Sequence, residues 1–218
     1  VQAREHQSGS SETYQATRIQ AEQFDMNISG NLNIVGTDIQ AKNSNIRGGN
    51  VHLGAEKTVN LREHSKNQSK GSWYRNEQES NRVETTHRTT IAGDSVNIEA
   101  TKGKVTAEGA KVSAKTTAIY GEQGVNLRGA KATTTQMARA EFKNETARLK
   151  TGLSSQDSSV QHYTATELTT EQDLILGGKG DVHLTGVVAN VDGVLLAKNS
   201  GSLSFGSEKS SESYNLSD

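Results

Sequence analysis

Short runs of alternating apolar and polar residues recur along the chain and are separated by Gly, Asn, Asp or Lys. Within each run two apolar residues flank one polar residue, so both apolar side chains lie on the same face of an extended strand. The runs are Leu32 and Ile34 in NLNI, Val51 and Leu53 in NVHL, Val96 and Ile98 in SVNI, Val125 and Leu127 in GVNL, and Val182 and Leu184 in DVHL. Because none of these runs is long enough to be stable alone, the pattern predicts short strands that stack on one another.

The spacing between the runs predicts how the strands stack. Apolar positions recur after 19 residues between Leu32 and Val51, and after 21 residues between Val182 and Leu203. A period of this length is typical of a solenoid, in which equivalent strands form parallel ladders about 4.8 Å apart. We therefore predict an all-β fold, a parallel β-helix with turns of about 20 residues.

This tube predicts which side chains form the core. The polar residue inside two of the runs is a histidine, His52 or His183, and we expect both rings to point outward. The residues expected to point inward include Leu32, Val51, Val96, Val125 and Val182.

A larger unit repeats three times, at about 30–61, 93–127 and 180–213, and the copies are separated by excursions at about 62–90 and 129–170. The first excursion is highly polar, so we expect a long hairpin or loop outside the tube. In the second, Ala138, Ala140 and Phe142 alternate as in a strand, whereas Thr133 and Gln136 could form a capping box for a helix. We favour extended structure there.

The ends of the chain lack any such pattern. Residues 1–13 and 210–218 show no apolar alternation, and we expect them to be frayed. We interpret 1–218 as a single β-helical segment of a longer chain.

Composition narrows the possible classes. With 31% hydrophobic and 4% aromatic residues, the chain can fill only a narrow core, and without the repeats it would resemble a disordered chain. A formal net charge of −1 provides no long-range attraction to nucleic acid or to an anionic membrane. The absence of cysteine excludes disulfides, thiol catalysis and cysteine-ligated zinc.

The strand sequences GDSVNIEATKGKVTAEGAKVSA and GEQGVNLRGAK, with a polar insert that contains SKGSWYRNEQES and ETTHRTTIAGD, resemble a known family. They are similar to the haemagglutinin repeat of filamentous haemagglutinins, the large exoproteins of bacterial two-partner secretion, and in particular to the second repeat region of contact-dependent growth inhibition effector proteins. The resemblance implies a right-handed parallel β-helix, export through an outer-membrane transporter, and display as part of a filament on a Gram-negative cell.

Candidate catalytic and metal-binding residues are dispersed. Parallel β-helices include polysaccharide lyases and hydrolases, and such an enzyme needs clustered carboxylates. The acidic candidates are Asp25, Asp38, Glu56, Asp94, Glu99 and Glu122, and the histidines are His6, His52, His64, His87, His162 and His183. The histidines form no H-E-x-x-H motif, and we expect the glycine-rich stretch 177–182 to be a corner turn. We therefore assign no catalytic, cofactor-binding or metal-binding residue.

Trp73 and Tyr74 are the strongest candidates for contact with a partner. They are adjacent within the polar insert and are flanked by Lys70 and Arg75, a combination typical of binding hot spots. The alternative is that both rings fold back and pack on the outside of the tube.

Together these features predict a non-enzymatic structural filament segment of a secreted, cell-surface adhesin or contact-dependent inhibition effector. We expect it to present its inserts to a neighbouring cell and to assist toxin delivery. Its expected partners are an outer-membrane transporter of the two-partner secretion type and the target-cell surface or outer membrane, with no cofactor, nucleic acid or small-molecule substrate. The alternatives are a carbohydrate-active β-helix enzyme and a trimeric fibre or phage spike segment.

Overall fold

The computed structural model describes residues 2–144 and 150–217, and all its regular elements are strands. In chain order the strands are β1 (Gln2–Ser11), β2 (Thr17–Asn27), β3 (Asn31–Val35), β4 (Thr37–Gly48), β5 (Asn50–Lys70), β6 (Trp73–Arg88), β7 (Thr90–Ala100), β8 (Val105–Glu108), β9 (Lys111–Gly121), β10 (Gly124–Arg128), β11 (Ala130–Asn144), β12 (Lys150–Thr164), β13 (Thr166–Thr170), β14 (Leu174–Gly178), β15 (Asp181–Thr185), β16 (Val187–Val191), β17 (Leu195–Asn199), β18 (Leu203–Gly206) and β19 (Glu212–Ser217).

Six stacked coils of parallel strands form a tube among the described residues. The coils are β2 with β3, β4 with the start of β5, β7 with β8, β9 with β10, β13 to β15, and β16 to β18. The tube has three faces, as the pairing of the fourth coil with the fifth shows. The first half of β9 pairs with β13, its second half pairs with β14, and β10 pairs with β15. The predicted parallel β-helix is confirmed, and its right hand stays a prediction.

Inward ladders of aliphatic side chains fill the tube. Ile39, Ile91, Val112 and Leu168 lie in register on one face, and each is at most 1% exposed. The predicted inward residues Leu32, Val51, Val96, Val125 and Val182 are all buried. Since burying one such side chain stabilises a fold by about 1.5–3 kcal/mol, these ladders are the main source of stability in the tube.

The outward positions of the same strands carry polar ladders. His52 Nδ1 lies 2.9 Å from Thr106 Oγ1 on the neighbouring coil, and His183 Nδ1 lies 2.5 Å from Ser204 Oγ. Both histidines alternate with buried residues on their strands, so the predicted outward orientation is confirmed.

The corners at which one coil passes to the next alternate between two kinds. At every second one of them the chain continues directly into the next coil through a glycine, and Gly36, Gly109 and Gly186 have φ values of 55°, 65° and 63°. This left-handed conformation is accessible to glycine without the steric cost that a Cβ imposes. At the corners between these, the chain leaves the tube as a long antiparallel hairpin, first as β5 with β6 and then as β11 with β12.

A buried threonine closes each corner at which a hairpin returns. The Thr89 hydroxyl donates to the carbonyl of Gly54, the last residue before the first hairpin, at 2.7 Å. The Thr166 hydroxyl donates to the carbonyl of Arg128 before the second hairpin, at 2.6 Å. Both threonines are fully buried, and each of the two carbonyls also accepts a backbone N–H, from Gly36 or from Gly109. Each hydroxyl therefore finds its partner inside the protein rather than in water.

The second hairpin consists of extended strands, as we favoured, and residues 145–149 at its tip lie outside the described residues. The chain returns to the tube at β13, which lies within the predicted 129–170 excursion and pairs with β9 and β16.

The expectation that both ends are frayed is wrong. β1 pairs antiparallel with β5 along its whole length, and β19 pairs antiparallel with β12. Backbone hydrogen bonds hold these end strands, and their side chains are exposed on both faces. Apolar alternation could not reveal them, because neither face packs against a core.

We predict that Ile98→Asp lowers the free energy of unfolding by several kcal/mol, because it places an unpaired charge in the core. The matched change Asn97→Asp, on the outward side of the same strand, should cost about 0.5 kcal/mol or less. Urea melts of both variants test this difference. Equal losses would contradict the inward and outward assignment.

A second prediction concerns the corner hydroxyl. Thr89→Val should destabilise the protein by about 1–2 kcal/mol, because it removes the donor to Gly54 and leaves the space filled. Thr117→Val is the control, since the buried Thr117 hydroxyl has no hydrogen-bond partner and lies in register with Val96 and Leu174. That change should be neutral or stabilising in the same melts. A loss of stability in the control as large as at Thr89 would argue against a specific role for the corner hydrogen bond.

Candidate interaction surface

The hairpins and the two end strands form one antiparallel sheet beside the tube. We call it the hairpin sheet, and its strands follow the order β1, outer β5 (55–70), β6, β11, β12 and β19. Most of its side chains are exposed or half-buried on both faces. The hairpin sheet is therefore a single layer with two accessible faces.

Polar cross-strand pairs stabilise this layer. Ser8 Oγ donates to Glu63 Oε2 at 3.1 Å, and Ser155 Oγ lies 2.8 Å from Ser217 Oγ. The pairs join β1 to β5 and β12 to β19, where the end strands are added. Each pair of this kind contributes about 0.2–1 kcal/mol, so many weak contacts replace a core here.

A carboxylate joins β1 to the first hairpin, and another joins the first hairpin to the second, in each case where the paired strands diverge. Glu12 Oε2 accepts a hydrogen bond from the backbone N–H of Val59 at 2.6 Å. Glu84 Oε2 accepts an equivalent bond from the backbone N–H of Thr133 at 3.0 Å. Both pairs lie one register beyond the last paired residues of their ladders, so we call Glu12 and Glu84 the junction carboxylates.

The surroundings of Glu84 favour its charged form. Burial alone would raise the pKa of Glu84, but hydrogen bonds from Arg82 and from the backbone of Thr133, together with the charges of Arg82 and Lys57, lower it below its usual value. The Glu84 side chain is only 16% exposed, which strengthens these interactions relative to a pair in water.

Aromatic packing holds the segment between β1 and β2 against the base of the first hairpin. The rings of Tyr14 and His87 stack with centroids 4.1 Å apart, and the Tyr14 hydroxyl donates to the carbonyl of Gly36. Burial and the nearby charges of Asp38 and Glu56 raise the pKa of Tyr14. Thr58 lies 2.9 Å from His87 Nε2, which fixes the ring.

The four predicted contact residues lie at the end of the first hairpin, away from the tube. Trp73 pairs with Lys70 across the turn, and Tyr74 pairs with Ser69, so the two rings point to opposite faces of the sheet. Both rings are half-buried, while Lys70 and Arg75 are exposed. None of the four packs against the tube.

Two of these side chains already have partners within the sheet. The Tyr74 hydroxyl donates to Glu141 Oε1 on β11 at 3.0 Å, and this hydrogen bond raises the pKa of Tyr74. Arg75 forms an ion pair with Glu77 at 2.5 Å. Lys70 takes part in none of the ion pairs found in the described part of the chain.

The second hairpin adds an aromatic ring close to this tip. Phe142 pairs with Arg75 and is 41% exposed. Its ring lies over Gly152 on β12, where an added Cβ would come within 2.3 Å of Phe142 Cζ. The glycine therefore makes room for the ring.

The acidic candidates for catalysis do not converge. Five of them lie on the outside of the tube, each with a separate polar or basic partner: Asp25 with Asn45, Asp38 with Arg18, Asp94 with Lys115, Glu99 with Arg47 and Glu122 with Lys179. Glu56 lines a shallow depression beside Tyr14 at the base of the hairpin sheet. This arrangement is typical of solvated outward ladders.

A second depression of about 520 Å³ lies on the hairpin sheet itself, with Glu63 and Glu79 among its lining residues. Glu63 pairs with Ser80, the neighbour of Glu79, so the two carboxylates lie on opposite faces of the sheet. They cannot act together on one bound substrate.

The histidines are also dispersed. His6 and His162 lie in strands of the hairpin sheet, and His64 Nε2 there lies 2.9 Å from Glu5 Oε1. No group of three or more potential metal ligands occurs among residues 2–144 and 150–217. The stretch 177–182 forms a corner between β14 and β15, and no helix in the described residues is long and apolar enough to cross a membrane.

The sequence does contain a signal for the junction carboxylates, although hydrophobic patterning missed it. Glu12 and Glu84 each precede a tube-entry threonine, Thr17 or Thr89, by five residues. The segments ETYQAT, ETTHRT and QHYTAT repeat this spacing, with Gln161 in place of glutamate in the third. An alignment of the polar segments with each other would have revealed it.

Comparison with known proteins gives one family match. A model of the hemagglutinin repeat matches residues 4–77 and 71–218. The chain is also 24% identical over 181 residues to a protein named hemolysin from Proteus mirabilis, a match that spans 82% of this chain and 12% of that relative. No solved structure matches the chain.

We predict that Glu84→Gln destabilises the protein by about 1–2 kcal/mol at neutral pH, because it weakens a charge-assisted hydrogen bond to Thr133. Since folding lowers the pKa of Glu84, its contribution is present above the pKa of the unfolded chain and is lost as the pH falls through the folded-state value. The difference between variant and wild type should therefore shrink on acidification. Urea melts across this pH range measure it, with the exposed Glu22→Gln as control. A difference that is constant with pH would contradict the role of the charge.

Proposed function

Because the chain belongs to the hemagglutinin repeat family, we propose that it is a non-enzymatic structural segment of a secreted or cell-surface bacterial adhesin. The tube acts as the filament, and the hairpin sheet is the surface that it presents to a neighbouring cell. The observation that supports this division is that one side of the tube carries a single-layer sheet with two solvated faces. A wide exposed surface on a narrow rigid support suits contact with another cell.

The proposal extends to export and delivery. The chain spans 12% of the length of its hemolysin relative, and we propose that it is one segment of a longer exoprotein. We propose export through an outer-membrane transporter of the two-partner secretion type in a Gram-negative bacterium, and a role in contact-dependent inhibition or toxin delivery. Each coil contacts mainly its neighbours, which supports folding coil by coil as the chain emerges.

Two observations favour this role over the alternatives. The carboxylates on the tube each have a separate partner, whereas a carbohydrate-active enzyme needs at least two that face one substrate. A trimeric spike would expose an apolar stripe along the tube. Instead, most of the exposed large apolar residues of the tube belong to its last coil: Val188, Val194, Leu195, Leu196, Leu203 and Phe205.

Replacement of both Trp73 and Tyr74 by Ala in the full-length exoprotein should reduce attachment to, or delivery into, neighbouring cells while the filament is still displayed. Aromatic residues that are partly accessible and lie beside basic ones are typical anchors, and their truncation removes contact area from a partner. Antibody labelling of the cell surface measures display, and target-cell binding or inhibition measures function. The matched control is Gln136→Ala with Gln156→Ala, two exposed residues in the middle of the same sheet. Normal attachment by the variant that lacks both aromatic rings would show that Trp73 and Tyr74 are not partner contacts.

A further inference from the structure

The end of the hairpin sheet that lies farthest from the tube has an unusual distribution of apolar side chains. We call its last registers the distal edge: Gln2, Ala3, residues 68–75 and residues 142–143. Trp73 and Phe142 lie two registers apart and share one face, and Tyr74 lies on the other face. Leu153, which pairs with Glu141 beside this edge, shares the face of Tyr74 and is 43% exposed. Both faces therefore become apolar at the same end.

The distal edge is also basic. Lys70, Arg75 and Lys143 lie within it, and it contains no Asp or Glu among its described residues. Glu77 and Glu141, the acidic partners of Arg75 and Tyr74, lie one or two registers closer to the tube. The described residues of the distal edge thus carry only basic charges, and Lys70 is the one among them on which the proposal below depends, although the chain as a whole has a net charge of −1.

Neighbouring strands brace the tip. The pairing of β1 with β5 extends to Gln2 and Ser69, and the pairing of β6 with β11 extends to Tyr74 and Lys143. In the first hairpin the turn at Gly71 and Ser72 projects beyond this pairing, and Gly71 has nothing within 4 Å of its Cβ position. The rings therefore need little further ordering on binding.

These features distinguish between classes of partner. A site for a glycan or a small ligand is concave, and its apolar and polar groups converge on one bound molecule. Aromatic residues on both faces of a thin edge, together with lysine and arginine, are the composition found at the boundary between a bilayer and water. There the rings lie at the level of the headgroups, and the cations contact lipid phosphates.

We propose that the distal edge binds the surface of a membrane that contains anionic, phosphate-bearing lipids, with Trp73 and Phe142 in the interface and Lys70 against the phosphates. This inference rests on the proposed function, whose target-cell contact it makes specific. Because the net charge provides no long-range attraction, binding depends on this local patch and weakens with salt.

The single tryptophan makes the proposal directly testable. The full 218-residue chain is mixed with phosphatidylcholine vesicles prepared with or without phosphatidylglycerol, and tryptophan emission reports only on Trp73. The expected result is a blue shift and quenching by brominated lipid with the anionic vesicles, together with co-flotation. Unchanged emission with both kinds of vesicle would overturn the proposal. So would retention on immobilised heparin by a chain that does not bind the vesicles, since that result indicates an acidic polysaccharide as partner.

Variants test the two components separately. Lys70→Glu should reduce vesicle affinity at least roughly fivefold, since one basic residue near an anionic surface contributes about that factor. Phe142→Ser should also reduce co-flotation. The matched controls are Lys198→Glu and Phe205→Ser, exposed residues of the last coil of the tube. Equal losses in variants and controls would overturn the assignment to the distal edge.

Two further measurements keep the outcomes distinct. Circular dichroism and urea melts show whether each variant is folded. If a variant does not fold, the emission of Trp73 in the wild-type chain still tests the proposal. The vesicle experiment uses the purified chain alone. If the chain does not bind vesicles, this inference is overturned, but the proposed filament role is not, because the attachment experiment tests that role separately. Normal vesicle binding with no attachment by the displayed exoprotein would instead reject the adhesive function.

Discussion

The strand spacing that the tube and the hairpin sheet share is the constraint on which the rest of the structure depends. Coils stack about 4.8 Å apart, and the strands of the hairpin sheet have the same separation. One hairpin contributes two strands, and one hairpin leaves the tube for every two coils. Two coils and two strands each occupy about 9.6 Å, so successive hairpins meet at the distance needed for pairing. A hairpin on every coil would crowd the sheet, and one on every third coil would leave gaps in it.

This match explains the alternation of the corners. A corner without a hairpin must turn the chain within one or two residues, which the left-handed conformation of Gly36, Gly109 and Gly186 allows. A corner with a hairpin has to close the gap between outgoing and returning chains, and the buried hydroxyls of Thr89 and Thr166 do so by hydrogen bonding to the last carbonyl of the coil. Glycine corners and hairpin corners thus alternate, and the repeating structural unit is two coils with their hairpin.

The tube could be predicted from the sequence because its inward side chains meet one another. Val96 and Ile98 are buried because alternate side chains of β7 point into the tube, and this alternation is visible in the sequence. The same alternation recurs on each coil, which produces the repeat of about 20 residues. The hairpin sheet could not be predicted in this way, since β1 and β19 have solvent on both faces and carry no apolar alternation. Their pairing depends on backbone hydrogen bonds whose register is set by the tube. The proximity of Trp73 and Phe142 follows from that register as well, because the two residues lie on different hairpins and far apart in the chain.

The division between tube and sheet also determines where a partner can act on the molecule. Side chains near the tube make contacts that the fold requires: Thr89 closes a corner, and Glu84 joins two hairpins. Farther from the tube a side chain makes fewer such contacts, and at the distal edge it contacts mainly its cross-strand neighbours. A weakly constrained position can carry an exposed ring such as Phe142 at little cost to stability, because no core must accommodate it. The register imposed by the tube still fixes the relative positions of such residues, so the distal edge combines chemical freedom with a defined geometry, as a contact surface requires.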